Sequence, residues 1–152
     1  MSDRSWLSVT IRLNGSTAEE VIEKMNAIYS LDDLIDEMED EDDNSMVRFF
    51  GEMVVGTCTD IYKSLVASKS DLDVIIRQAA KYEYPGRLAM YAGSMGQHVI
   101  MNMFEGMPIP DAHDWQILRD LLPKKFAGAV DQIVYPDLRE HFGLARLARL
   151  VG

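Results

Sequence analysis

The chain has 152 residues, 47% hydrophobic and 26% charged, a composition typical of a globular protein rather than a disordered one. Its net charge of −10 argues against direct nucleic-acid binding, and its single cysteine, Cys58, excludes an internal disulfide or a site of several thiolates. Since the sequence contains neither a leader-like start nor an apolar run long enough to span a membrane, we expect one cytoplasmic domain over residues 1–152.

The chain begins with a predicted strand and helix. Apolar and polar residues alternate over 7–13, which predicts a strand with one buried face. Asn14-Gly15 predicts the turn that follows. Ser16 and Glu19 then form a capping box that opens a helix running to about Tyr29.

The next segment is strongly acidic. Residues 1–60 hold 15 Asp and Glu against 4 Lys and Arg, whereas residues 61–152 hold 10 against 11. Most of this asymmetry lies in one run of carboxylates, placed on and after a short predicted helix: Asp32, Asp33, Asp36, Glu37, Glu39, Asp40, Glu41, Asp42 and Asp43. A solvated surface that keeps the protein soluble and a docking face for a basic partner are both consistent with this run.

The rest of the chain is predicted to be helical. Apolar residues step by three and four over 46–65, which predicts a long buried helix, although a strand over 48–55 that pairs with the first strand is an alternative. Ser70 and Asp73 resemble a second capping box, and helical spacing continues over 88–103. Further helices are predicted over 111–122, 126–134 and 136–148. We therefore expect a mainly α (α+β) domain of six to eight helices, with an N-terminal strand that pairs with a second short strand or across a dimer.

Two short motifs resemble catalytic sites. Ala92-Gly93-Ser94-Met95-Gly96 resembles the nucleophile elbow of lipases and other α/β-hydrolases, and Asp131 and His141 follow in the order of that catalytic triad. His113-Asp114 resembles the metal-binding pair of the helical HD phosphohydrolases. That resemblance implies a ligand set completed by His98 and by Asp131 or Asp137.

Other residues have simpler interpretations. Five methionines lie around His98 and are expected to fill gaps in the core: Met90, Met95, Met101, Met103 and Met107. Cys58 is expected to act as a small buried apolar residue. Basic residues near the C-terminus suit an acidic surface, including the acidic run of a second copy in a homodimer: Lys124, Lys125, Arg139, His141, Arg146 and Arg149.

The sequence favours binding over catalysis. We expect a small acidic protein that inhibits or neutralises a basic protein surface, of the immunity, anti-defence or nucleic-acid-mimic type, through the carboxylates of residues 32–43. Its partner would be a toxin or a nucleic-acid-binding protein, and no cofactor or metal is expected. The alternatives are a metal-dependent helical hydrolase of HD type and a structural helical protein that assembles with itself.

Overall fold

The computed structural model describes residues 3–30, 46–104, 107–109 and 117. Within these ranges the chain forms a sheet and two helices. The elements, in chain order, are β1 (Arg4–Arg12), α1 (Ala18–Ile28), β2 (Met46–Val54), α2 (Thr57–Ser68), β3 (Asp73–Gln78), β4 (Gly86–Ala92), β5 (Gln97–Phe104) and β6 (Met107–Ile109).

All strand pairs in the sheet are antiparallel, in the order β2-β1-β3-β4-β5-β6. β1 is an interior strand, with Leu7 opposite Gly51 of β2 on one side and Gln78 of β3 on the other. The segment that contains α2 carries the chain over β1, from β2 to β3. β1 therefore has hydrogen-bonding partners on both sides, which removes the argument for a dimer formed through its edge.

One face of the sheet packs against both helices. The core on this side combines inward-facing strand residues with the apolar sides of α1 and α2. Its buried members include Leu7, Val9, Ile11, Val21, Met25, Val47, Phe49, Cys58, Ile61, Leu65, Val74, Ile76, Ala89 and Tyr91.

The opposite face is also apolar and buried along β3, β4 and β5. Its buried side chains are Ile75, Leu88, Met90, Val99, Met101 and Met103. Because both faces of these strands are buried, apolar residues occupy consecutive positions, as in Leu88-Ala89-Met90-Tyr91-Ala92.

The predicted domain of six to eight helices is wrong, since an antiparallel sheet and two helices account for the described elements. β3, β4 and β5 carry apolar residues on both faces, so they lack the apolar–polar alternation that marks a half-buried strand. Their consecutive apolar residues also satisfy a spacing of three and four, so the pattern imitates a buried helix.

The long helix predicted over 46–65 is instead β2 followed by α2. Gly56 separates the two elements with a φ of 96°, a left-handed conformation that ends the extended chain and serves as the N-cap of α2. The alternative of a strand over 48–55 pairing with the first strand agrees with β2.

The predicted helices after Ser70 and over 88–103 are also wrong. Ser70 and Asp73 do not cap a helix: Ser70 Oγ accepts a hydrogen bond from the Leu72 N–H, and Asp73 begins β3. The β-branched run Val74-Ile75-Ile76 suits a strand better than a helix. Residues 88–103 form most of the β4–β5 hairpin, whose turn spans 93–96.

The start of the chain agrees with the sequence prediction. β1 and α1 are present, and Asn14 and Gly15 both take positive φ values in the turn between them. The N-cap of α1 is Thr17 rather than Ser16, and its hydroxyl oxygen accepts from the Glu20 N–H at 3.2 Å. The short acidic helix and the helices predicted over 111–148 lie outside the described residues, apart from the helical residue 117.

Candidate functional site

A groove of about 230 Å³ opens at one end of the sheet. It lies where β1 ends, where β3 begins and where β4 turns into β5. Its lining is mixed, with Leu13, Val21 and Leu72 beside the polar residues Asn14, Ser16, Lys24, Asp71 and Ser94. This volume is below the range of about 300–1,000 Å³ that is usual for small-molecule sites.

Beside this groove, Asp73 is fully buried and joins three segments. Its carboxylate accepts from Asn14 Nδ2 at 2.7 Å and from the Ser94 N–H at 3.2 Å. The Ser94 hydroxyl donates to both carboxylate oxygens, at 2.9 and 3.0 Å. A buried carboxylate needs such donors to offset its desolvation, so this cluster fixes the β1–α1 and β4–β5 turns to the start of β3.

The backbone around Ser94 does not match a nucleophile elbow. Ser94 lies in a turn between two antiparallel strands, whereas the elbow requires a turn from a strand into a helix. Its small neighbour Gly93 is needed for close packing: a Cβ there would lie 2.2 Å from the Ser70 carbonyl oxygen. Asp131 and His141 lie outside the described residues.

Lys24 and Asp71 form an ion pair across the mouth of the groove. Lys24 Nζ lies 3.5 Å from the Asp71 carboxylate, and both side chains are exposed, so the pair adds little to stability.

The pKa of Tyr91 is raised, first by burial and then by the Asp71 charge, and its hydroxyl donates to the Ser70 carbonyl at 2.9 Å. Tyr91 therefore stays neutral and holds the chain ahead of β3.

His98 belongs to an aromatic cluster on the helix-bearing face. Its Nδ1 shares a hydrogen bond with the Tyr62 hydroxyl of α2, and its ring stacks on Tyr91 with centroids 5.8 Å apart. No group of three metal-binding side chains occurs in the described ranges. The other residues of the HD-type ligand set, His113, Asp114, Asp131 and Asp137, lie outside them.

Of the five methionines near His98 in sequence, three are buried away from it, Met95 is half-buried in the β4–β5 turn, and the Met107 side chain lies outside the described part of the structure. Met90, Met101 and Met103 are buried on the opposite face of the sheet from His98, because residues of a strand alternate between its two faces. Their burial agrees with the expectation that they fill the core.

Cys58 is buried at the start of α2, as expected. Burial raises the pKa of its thiol to about 12. Its N–H donates to Gln78 Oε1 at 2.9 Å, and Gln78 Nε2 donates to the Val54 carbonyl at 3.0 Å. The buried Gln78 amide thus ties β3 to the end of β2 and to the first turn of α2, a role that the sequence did not reveal.

The acidic run lies outside the described residues, and so do the basic residues proposed as its dimer partner. The described residues carry nine Lys and Arg and nine Asp and Glu, so they are neutral overall. Residues 31–45, which join α1 to β2, hold nine carboxylates and no basic residue. The net charge of the molecule therefore comes almost entirely from this one connection.

An aromatic patch, formed by the exposed Trp6 and Val54 and the half-buried Phe50, lies on the sheet face opposite the helices. Trp6 is 51% exposed and contacts Phe50, with ring centroids 5.7 Å apart. The Arg48 guanidinium lies 5.6 Å from the Phe50 centroid. The sequence did not predict this patch. Trp6 shares its strand face with the polar Ser8 and Thr10, and a tryptophan on an otherwise polar face is the signal that could have indicated it.

Neither described helix has the length and apolar character needed to cross a membrane. Comparisons with protein-family models, curated proteins and solved structures found no match for the chain. Its function is therefore inferred from its own charges, burial and contacts.

Proposed function

We propose that this protein binds and neutralises a basic surface on another protein in the cytoplasm, through the acidic segment of residues 31–45. The observation that carries this proposal is the concentration of nine carboxylates in one connection of an otherwise neutral framework. Charges gathered at one place project a directional field, which accelerates encounter with a cationic partner and fixes its orientation.

The described end of α1 does not favour carboxylates in the segment that follows it. The segment follows the C-terminal end of α1, where the helix dipole favours cations, and the last turn of α1 contains no basic residue. Neighbouring carboxylates also repel one another by a few tenths of a kcal/mol per pair. A role in binding accounts for a charge arrangement that costs stability.

A row of carboxylates has the charge pattern of a nucleic-acid backbone. Partners that contact phosphates do so with clustered Lys and Arg, and the same side chains pair with carboxylates. We therefore favour a partner whose own function uses a basic surface, and we infer that occupation of that surface blocks it.

Binding to poly-L-lysine, a cationic probe of known composition, tests this proposal. We expect full-length protein to bind it with an affinity that falls as salt rises. The combined variant Asp36→Asn, Glu37→Gln, Glu39→Gln and Asp40→Asn should lose at least about tenfold in affinity, which is about 1.4 kcal/mol.

The matched control neutralises four exposed carboxylates elsewhere: Glu19→Gln, Glu23→Gln, Asp60→Asn and Glu83→Gln. Both variants have the same net charge, so a general charge effect would weaken both equally. Equal losses would contradict the proposal, whereas a loss confined to the 36–40 variant would support it.

A further inference from the structure

We propose that the aromatic patch is the apolar anchor of the same interface, so that the partner presents cationic and apolar side chains on separate parts of one surface. This inference rests on the proposed function and specifies the chemistry of the partner.

The patch is a group of large apolar side chains on one face of β1 and β2. Four large apolar side chains are exposed in the part of the chain that the structure describes, and two of them, Trp6 and Val54 at 51% and 41%, belong to this patch. Trp, with aromatic and Arg neighbours, is typical of the residues that dominate binding energy at protein interfaces. Arg48 over the Phe50 ring completes that combination.

The backbone beneath Trp6 is paired on both sides, and β2, which carries Phe50 and Val54, is paired with β1. Trp6 lies on the interior strand β1, opposite Glu52 of β2, and its carbonyl accepts from the Ala79 N–H at 2.8 Å. An anchor that is already ordered loses little conformational entropy when a partner covers it. The same sheet face is buried along β3 to β5, so the patch is where an apolar surface reaches solvent.

The acidic segment leads directly into the strand that carries the patch. β2 begins at Met46, and Phe50 and Val54 follow four and eight residues later on the same face. At about 3.4 Å per residue, they lie about 14 and 27 Å from the start of the strand. An interface of standard size, about 800 Å² per partner, therefore reaches from the start of β2 to the patch.

The charges around the patch determine which part of the partner it contacts. Arg48 lies beside Phe50, and Arg4 donates to the Glu52 carbonyl at 2.8 Å next to Trp6. These cations disfavour a basic group over the rings, while residues 31–45 favour one near the start of β2. The fitting partner is therefore amphipathic, with its cations and its apolar groups segregated.

Two peptides of equal length and equal charge test the inference. In one, lysines and leucines occupy separate faces, and in the other serine replaces every leucine. We expect full-length protein to bind the Lys/Leu peptide at least about tenfold more tightly than the Lys/Ser peptide, with a blue shift of tryptophan fluorescence.

Trp6→Ala should abolish this preference and leave affinity for the Lys/Ser peptide unchanged, while Trp6→Tyr should restore part of it. The control Tyr82→Ala removes an aromatic side chain that is 78% exposed in the 81–84 turn, and should keep the preference. Circular dichroism of each variant verifies folding. A preference that survives Trp6→Ala in a folded variant would overturn the inference.

The acidic variant separates this inference from the proposed function. If neutralising Asp36, Glu37, Glu39 and Asp40 leaves binding of the Lys/Ser peptide intact, the proposed function fails. If that variant loses both peptides but Trp6→Ala changes nothing, only the apolar anchor fails. Trp6-dependent binding of a single-stranded oligonucleotide would also overturn the inference, because it would assign the rings to base stacking.

Discussion

Asp73 shows how single residues hold this fold together. Its buried carboxylate collects hydrogen bonds from Asn14 and Ser94, which lie in two different turns. Gln78 does the same at the other end of β3, where its amide contacts β2 and α2. Both residues are polar side chains in the core whose role is to fix turns and helix ends.

Removing the Ser94 hydroxyl should weaken the fold. Ser94→Ala deletes a hydrogen bond to a buried carboxylate, so we expect the free energy of unfolding in urea to fall by about 1–2 kcal/mol. Ser64→Ala is the matched control, because the Ser64 hydroxyl bonds only to the Asp60 carbonyl of its own helix at an exposed site. Equal effects of the two substitutions would show that Ser94 has no special structural role.

Burial of Cys58 should make the free energy of unfolding fall at alkaline pH. Its pKa of about 12 in the folded protein exceeds the value of 9.0 for an ordinary thiol, so the unfolded chain releases this proton first. Stability is therefore retained below pH 9 and falls as the pH rises from about 9 towards 12, by up to about 1.4 kcal/mol per pH unit. Urea unfolding between pH 8 and pH 10 should show this extra slope in the natural chain and not in Cys58→Ala. Parallel pH profiles would contradict the burial of the thiol.

The β4–β5 hairpin depends on the close approach of its turn to the backbone of residues 70–72. The Gly93 N–H donates to the Leu72 carbonyl at 2.9 Å, and its missing side chain leaves room for the Ser70 and Leu72 carbonyls. The hairpin is thereby held against the segment that leads into β3.

Two glycines of the same turn provide a direct comparison. Gly93→Ala places a Cβ against backbone atoms, so we expect a loss of at least about 3 kcal/mol in the free energy of unfolding. Gly96→Ala introduces a Cβ into open space at a φ of +68°, and should cost only about 1–2 kcal/mol. Thermal or urea unfolding measures both. A smaller effect at Gly93 than at Gly96 would refute the close approach.

The elements that the sequence predicted are those whose polar and apolar residue types follow a clear period, even where the polar residues are themselves buried, as Ser8 and Thr10 are. On β1, polar Ser8, Thr10 and Arg12 alternate with the buried apolar residues, so the strand was evident. β4 has no such alternation because both its faces are buried, and its identity depends on pairing with β3 and β5. Likewise, the acidic run is visible in the sequence, but the aromatic patch depends on the register that brings Phe50 beside Trp6.

For the whole molecule, the uneven distribution of charge along the chain is the main property. The described residues balance nine cations against nine carboxylates, while residues 31–45 carry only negative charge. The segment thus accounts for nine of the ten net negative charges of the chain.

Neutralising the segment should not destabilise the protein. In the combined variant of Asp36, Glu37, Glu39 and Asp40, mutual repulsion falls, so the free energy of unfolding should be unchanged or about 0.5–1 kcal/mol higher. Asp73→Asn serves as the opposite control. It removes one buried, hydrogen-bonded carboxylate and should lower the free energy of unfolding. A marked loss of stability in the combined variant, measured in urea, would indicate that these carboxylates pair within the fold.

Chemical-shift mapping on the isotope-labelled full-length chain tests directly whether residues 31–45 bind a cationic partner. On titration with poly-L-lysine at low salt, we expect amide shifts concentrated in residues 31–45 and at the start of β2, and their reversal when salt is added. Shifts confined to the groove at Lys24, Asp71 and Ser94, or an unchanged spectrum, would contradict this expectation.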